Sequence, residues 1–190
     1  MTFYYRLEPG IHELYGIADY PQLPDDVSFL TGRPIATALP GPLVFAVNHP
    51  KGETPKHLLG MQVPVVSDLL LQAMAASGID NFQIFPALLR SAGTGEQWSG
   101  YHAFNAIGLI DATDMRGSKY EEIMAGNDEV PALLDFETLV IDGSRTRNLL
   151  LFRLAQNPGA MLVHERVRSE LRQRKPPGGW GFTMFEVPAR

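Results

Sequence analysis

Short apolar runs, each bounded by turn residues, recur along this chain of 190 residues and limit what it can fold into. The runs are rich in Val, Ile, Leu and Phe, which is typical of strands, and most are too short to be buried helices. They lie at 42–47, 63–66, 82–85, 101–110, 139–141, 149–154, 160–163 and 182–185, after an aromatic opening at Phe3, Tyr4 and Tyr5. We therefore expect a chain dominated by strands. Asn157-Pro158-Gly159 predicts a turn between two of them.

Two segments have the spacing of amphipathic helices. The first begins at the N-cap Ser67, has an acid in its first turn and ends at Gly78, with an apolar face of Leu70, Ala73 and Met74. The second runs from Glu165 to about Arg174, with Val167 and Leu171 on one face and an exposed Glu170–Arg174 pair. A short exposed helix is also expected from Tyr120 to Met124. The predicted fold class is α+β, with mostly antiparallel sheets and two principal helices.

The two helix-bearing segments resemble each other. Residues 65–70 align with residues 162–167, and Phe82–Phe85 aligns with Phe182–Phe185, so a strand–helix–strand unit is used twice. His164 then takes the place of Ser67 as the helix-start residue. The alternative is that any short apolar strand followed by an amphipathic helix would align this well.

The chain length and a hydrophobic content of 45% fit one domain covering residues 1–190. The stretch from Ser91 to Gly100 is rich in Gly, Ser and Thr, which predicts a loop and a boundary between two lobes near residues 91–100. Residues 101–110 are expected to form one long strand, in which Gly108 marks a bulge or a close backbone contact. The role of the first 40 residues stays open.

Composition restricts the chemistry and the compartment. The chain has no cysteine, which excludes disulfides, thiol catalysis and zinc sites of the cysteine type. No apolar stretch is long enough for a membrane span and the opening residues do not resemble a secretory leader, so we expect a cytoplasmic protein that binds no membrane. A sequence pI near 5.5 argues against a nucleic-acid binder.

Charge is segregated along the chain. Residues 1–144 contain seven Lys or Arg and 18 Asp or Glu, whereas residues 145–190 contain nine basic and three acidic residues. The segment from Asp111 to Asp142 has nine acids against Arg116 and Lys119. These acids form either a negative surface or a set of carboxylates neutralised by the C-terminal arginines.

No sequence motif for catalysis is found. The five histidines lack the spacing of a zinc helix, and Gly93-Thr-Gly95 lacks the strand, the helix and the third glycine of a dinucleotide site. Neither a phosphate-binding loop nor a nucleophile elbow is present. The sequence therefore predicts no metal, no cofactor and no catalytic residue. His164 is interpreted mainly as a helix cap, and His102 as a core or strand-edge histidine.

Several of these segments together resemble a known family. The order and character of residues 65–68, 82–86, 101–112, 139–142, 151–155 and 162–167 are similar to the myxobacterial-type immunity domain, called immunity protein eleven. The resemblance covers roughly residues 43–187. It implies a protein without a catalytic motif, encoded beside a toxin gene in a bacterial polymorphic toxin system, that binds and neutralises its cognate toxin protein.

The resemblance names no interface residue, so the candidate toxin-binding residues come from charge and side-chain type. They are the acids Glu121, Glu122, Asp128 and Glu129, for a toxin that acts on nucleic acid, and the anchors Trp98 and Trp180. The alternative for each tryptophan is packing onto its own sheet. Two other functions stay open: an enzyme with a pocket near His102 and His164, and a structural or oligomeric module. The sequence does not predict the oligomeric state.

Overall fold

The computed structural model describes residues 3–10, 16–127 and 131–190. Thirteen strands and two α-helices are present in this part of the chain. The first half contains β1 (Phe3–Pro9), β2 (Ile17–Asp19), β3 (Leu43–Val47), β4 (Leu58–Leu59), β5 (Val65–Ser67), α1 (Asp68–Ala76), β6 (Phe82–Ser91), β7 (Gln97–Ala106) and β8 (Leu109–Ile110). The second half contains β9 (Lys119–Met124), β10 (Leu133–Thr138), β11 (Leu151–Leu154), β12 (Asn157–His164), α2 (Glu165–Gln173) and β13 (Phe182–Pro188).

The strands form two large sheets and one small one. One sheet has five strands in the order β13-β1-β12-β11-β8, the second has six strands in the order β2-β3-β6-β7-β5-β4, and β10 pairs with β9 separately. Among the described strands, only β3 with β6 and β8 with β11 are parallel neighbours. The predicted α+β class, with mostly antiparallel sheets and two principal helices, is confirmed.

The predicted strand–helix–strand unit is present twice, with the same topology. In the six-stranded sheet, β5 and β6 flank β7 and are antiparallel to it. In the five-stranded sheet, β12 and β13 flank β1 in the same way. In each unit the helix therefore joins two parallel strands that are separated by one antiparallel strand. The middle strand follows the first unit along the chain but precedes the second.

The two helices pack between the two large sheets. The central core combines helix residues with side chains of both sheets, and the equivalent positions of the two helices, Leu70 with Val167 and Met74 with Leu171, are all buried. The outer face of the five-stranded sheet forms a second core with β10. The outer face of the six-stranded sheet forms a third, which side chains between residues 17 and 39 cover.

Both helix starts have the predicted caps. Ser67 Oγ accepts a hydrogen bond from the Leu70 amide at 3.2 Å, and His164 Nδ1 accepts one from the Arg166 amide at 3.1 Å. The first helix stops before Gly78, whose φ of +94° is a conformation that glycine adopts readily. The Glu170–Arg174 ion pair is also present.

Three predictions for the middle of the chain are wrong. Tyr120–Met124 is a strand, not a helix, because it pairs with β10, where Tyr120 meets the ring of Phe136 at 6.1 Å. Residues 139–141 follow a strand instead of forming one, and only Ile141 makes isolated bridges. The predicted turn at Asn157 to Gly159 is instead the beginning of β12. The turn between β11 and β12 lies at residues 155–156, directly before it.

Two further predictions are wrong in part because strand pairing extends beyond the apolar runs. The loop predicted from Ser91 to Gly100 is confined to residues 92–96. β6 and β7 occupy the other half of that stretch and form a hairpin closed by a hydrogen bond from the Ser91 amide to the Glu96 carbonyl at 2.8 Å. Residues 101–110 do not form one strand. Gly108, at φ +119°, separates β7 from β8, which belongs to the other large sheet. The division into two lobes near residues 91–100 stays a prediction.

Candidate functional site

Within the acidic segment, β9 and β10 form an antiparallel pair on the outer face of the five-stranded sheet, which we call the acidic hairpin. The inner strand β10 buries Leu134 and Phe136 in the core beneath it, whereas all six residues of β9 are exposed. The hairpin therefore has one strand fixed to the body of the protein and one strand facing solvent. Glu121 and Glu122 lie in the exposed strand.

Among the residues that the structure describes, only some acids of the acidic segment have an ion-pair partner. Arg145 Nη1 lies 3.6 Å from Asp111 Oδ2, and Arg145 Nε lies 3.2 Å from Asp142 Oδ2. One guanidinium therefore pairs with the acids at both ends of the segment. In the described part of the chain, Glu121 and Glu122 have no ion pair. Asp128 and Glu129 lie outside the described residues. Glu121 and Glu122 are thus solvent-exposed carboxylates that no cation of the described residues neutralises.

The basic residues of α2 are on the opposite face of the same sheet. Val167 and Leu171 of this helix pack into the central core, whereas the acidic hairpin packs over the outer core. Arg168 lies over the Tyr5 ring at 4.3 Å, and Arg174 pairs with Glu170. These arginines therefore do not neutralise the hairpin, because the five-stranded sheet lies between them and it.

The two tryptophans occupy different environments. Trp180 is only 5% exposed, packs in the central core and donates a hydrogen bond from Nε1 to the Leu171 carbonyl at 2.8 Å. This indole is not presented to a partner, and it fits the alternative of packing within its own chain. Trp98 is half-buried on β7, where it meets the ring of His49 at 5.4 Å.

The structure does not bring His102 and His164 into one pocket. His102 lies on β7 in the six-stranded sheet, with its Nε2 2.6 Å from Asp68 Oδ1. His164 ends β12 in the five-stranded sheet and lines a cavity of about 240 Å³. The other lining residues are Tyr4, Gly143, Thr146, Asn148 and Leu150, so neither His102 nor a carboxylate contributes. The cavity beside His164 therefore lacks the second histidine and the acids that would favour an enzyme.

A serine and a histidine that the sequence analysis did not connect are also in contact. His57 Nδ1 lies 2.8 Å from Ser67 Oγ, and burial lowers the pKa of His57 below its ordinary value. Ser67 is buried and its oxygen already caps α1, so the hydroxyl is not exposed to a substrate. The contact fixes the start of the helix. His57 lies opposite Ser67 because β4 pairs with β5, and the Ser67 amide also donates a hydrogen bond to the His57 carbonyl at 3.0 Å. The sequence analysis did not predict β4, so it had no signal for this contact.

Within residues 3–10, 16–127 and 131–190, no group of three or more histidine or acidic side chains is placed to hold a metal ion. The helices in that part of the chain are also too short or too polar to cross a membrane.

Comparison with known proteins identifies the class. A family model for immunity proteins matches residues 12–187 of the 190-residue chain. The chain belongs to the Immunity protein family (Imm11). The match begins within the first 40 residues, which the resemblance noted from the sequence did not include. A search of curated proteins finds no match.

Proposed function

We propose that this protein neutralises one cognate bacterial toxin by binding it, without making or breaking a covalent bond. Its membership of an immunity family supports the role in immunity and a toxin as the partner. We place the interaction in the cytoplasm, where a toxin that acts on nucleic acid would meet its target.

The exposed acidic hairpin is the surface that best supports this function. Glu121 and Glu122 are solvent-exposed and unpaired within the described residues, and they stand on a strand anchored through β10. An enzyme that acts on nucleic acid needs a basic surface to hold phosphates. A negative surface of this kind can occupy that basic surface and speed association. We include Asp128 and Glu129 in this surface on sequence grounds, and Trp98 as a half-exposed aromatic candidate.

The two alternative functions receive less support. The enzyme alternative relied on a pocket near His102 and His164, and the cavity beside His164 is lined by neither His102 nor an acid. A structural or oligomeric module would require a large apolar surface for a second copy. Ile123 and Met124 are the most exposed large apolar residues in the described part of the chain, and they directly follow the carboxylates Glu121 and Glu122 on β9. This surface is therefore mixed in character and not a large apolar one.

Co-expression with the product of the adjacent toxin gene tests the proposed function. We expect cells to survive toxin induction only when this protein is present, and the two proteins to purify together in a fixed ratio. Survival with no complex, or toxicity that this protein does not reduce, would contradict the proposal. A toxin from an unrelated system is the matched control and should be neither bound nor neutralised.

A further inference from the structure

The exposed strand β9 has the most accessible large apolar side chains in the described part of the chain. Ile123 is 61% exposed and Met124 is 57% exposed, and the next, Phe185, is 46% exposed. Tyr120 on the same strand is 42% exposed. Singly exposed apolar residues are ordinary, but several on one strand are typical of an interaction surface.

The outer edge of β9 is also unpaired. In the described residues, β9 pairs only with β10, and no backbone hydrogen bond joins it to any other element. Ile123 lies between the paired residues Glu122 and Met124 as the additional residue of a bulge, so β10 offers it no partner. Free amides and carbonyls along a strand edge bind another extended segment through main-chain hydrogen bonds.

A second copy of this chain is a poor occupant for that edge. Antiparallel pairing of β9 with itself over its full length places Glu121 opposite Glu122 twice. A shift of one residue in either direction places one of these acids opposite itself. Like charges directly opposite each other destabilise a strand pair. The acids therefore protect the edge against self-association and favour a partner of opposite charge.

We propose that the toxin adds a basic extended segment to the free edge of β9. Two basic side chains of that segment face Glu121 and Glu122, and two apolar side chains beside them cover Ile123 and Met124. In an antiparallel arrangement the toxin segment reads apolar, apolar, basic, basic. This inference rests on the proposed function, and it adds the mode of recognition and the chemistry of the recognised segment.

Amide hydrogen exchange across β9 tests this mode on the unmodified protein. The probe is a catalytically inactive variant of the adjacent gene's toxin, measured free and in complex by NMR. We expect the β9 amides that are not bonded to β10 to exchange at least about ten-fold more slowly in the complex, because strand addition protects them. A purified complex in which these amides exchange as in the free protein would overturn the strand-addition mode and leave the proposed function intact.

Two double variants test whether the exposed apolar side chains of β9 contribute to toxin binding independently of folding. The double variant Ile123→Thr, Met124→Thr should dissociate from the toxin at least about ten-fold faster. The control Val44→Thr, Met61→Thr changes two apolar residues that are 39% and 45% exposed elsewhere and should leave the rate unchanged. Equal rates for the two double variants would overturn the inference. Failure of the unmodified proteins to form any complex would instead overturn the proposed function. Protection of the β9 amides in the free protein that rises with protein concentration would show self-association at this edge and would also overturn the inference.

Discussion

His164 occupies at the start of α2 the place that Ser67 occupies at the start of α1. The two side chains accept backbone amide hydrogen bonds at 3.1 Å and 3.2 Å. Each of the two residues ends a strand that runs parallel to the strand after its helix. The correspondence extends to the buried positions on both helices. The two halves of the central core therefore use one structural unit, whose cap differs in chemical type.

Removal of either cap should lower stability. We expect Ser67→Ala and His164→Ala each to reduce the free energy of unfolding by about 1 kcal/mol, because each leaves a helix-start amide without its acceptor. Urea denaturation followed by circular dichroism measures this change. Ser67→Thr, which keeps the hydroxyl, is the control. An Ala variant as stable as the unmodified protein would contradict the capping role at that position.

Acid should weaken the protein through His57. Burial lowers the pKa of this histidine below its ordinary value of 6.5, so the folded protein binds fewer protons here than the unfolded chain does. The neutral, buried His57 therefore contributes its full stabilisation of the folded protein above pH 6.5. This contribution is lost as the pH falls below 6.5 and through the lower pKa of the folded state. Denaturation at pH 7.5 and pH 5.5 should therefore show a larger acid loss for the unmodified protein than for His57→Gln. Equal losses would contradict the assignment.

Replacing a buried cation should not cost stability. Arg153 is 0% exposed, donates one hydrogen bond from Nη1 to the Pro158 carbonyl at 2.7 Å, and has its pKa lowered to about 10 by burial. We expect Arg153→Met to raise the free energy of unfolding by about 1 kcal/mol, because it removes an incompletely paired charge and fills most of the volume. Arg153→Ala should lower it by leaving a cavity. Loss of stability in the Met variant would show that the guanidinium is better compensated than this geometry indicates.

Charge reversal should slow association with the toxin. The variant changes Glu121, Glu122, Asp128 and Glu129 to Lys and should reduce the association rate at low salt at least about ten-fold, with a flatter dependence on salt. A control with the same net charge reverses four exposed acids elsewhere, namely Asp25, Asp26, Glu53 and Asp80. Stopped-flow association rates compare the two variants. Equal rates would move the interface away from the acidic hairpin.

The features predicted from the sequence depend on local interactions. The start of α1 follows from the Ser67 side chain, and the buried faces of both helices follow from spacings of three and four residues. The exposed position of Glu121 and Glu122 also agrees with the acidic composition around them. Each of these features is determined within a few residues of chain.

The features that were missed depend on distant partners. β9 is a strand because β10 pairs with it, although its own sequence contains no regular alternation. Gly108 divides the run at 101–110 because Leu109 pairs with Arg153 in the other sheet. Burial of Trp180 similarly requires α2, since its indole reaches the Leu171 carbonyl across nine residues. Such contacts are not encoded in the periodicity of one segment.

A titration of toxin activity tests the central claim most directly. Increasing amounts of this protein are added to a fixed amount of active toxin, and the remaining activity is measured after a short and a long incubation. Neutralisation by binding predicts a linear loss that ends at one fixed molar equivalent at both times, with His102→Ala and His164→Ala reaching the same endpoint. Loss of toxin activity that continues with time at a small fraction of a molar equivalent, until inactivation is complete, would show that this protein turns over as an enzyme. That result would contradict neutralisation by binding.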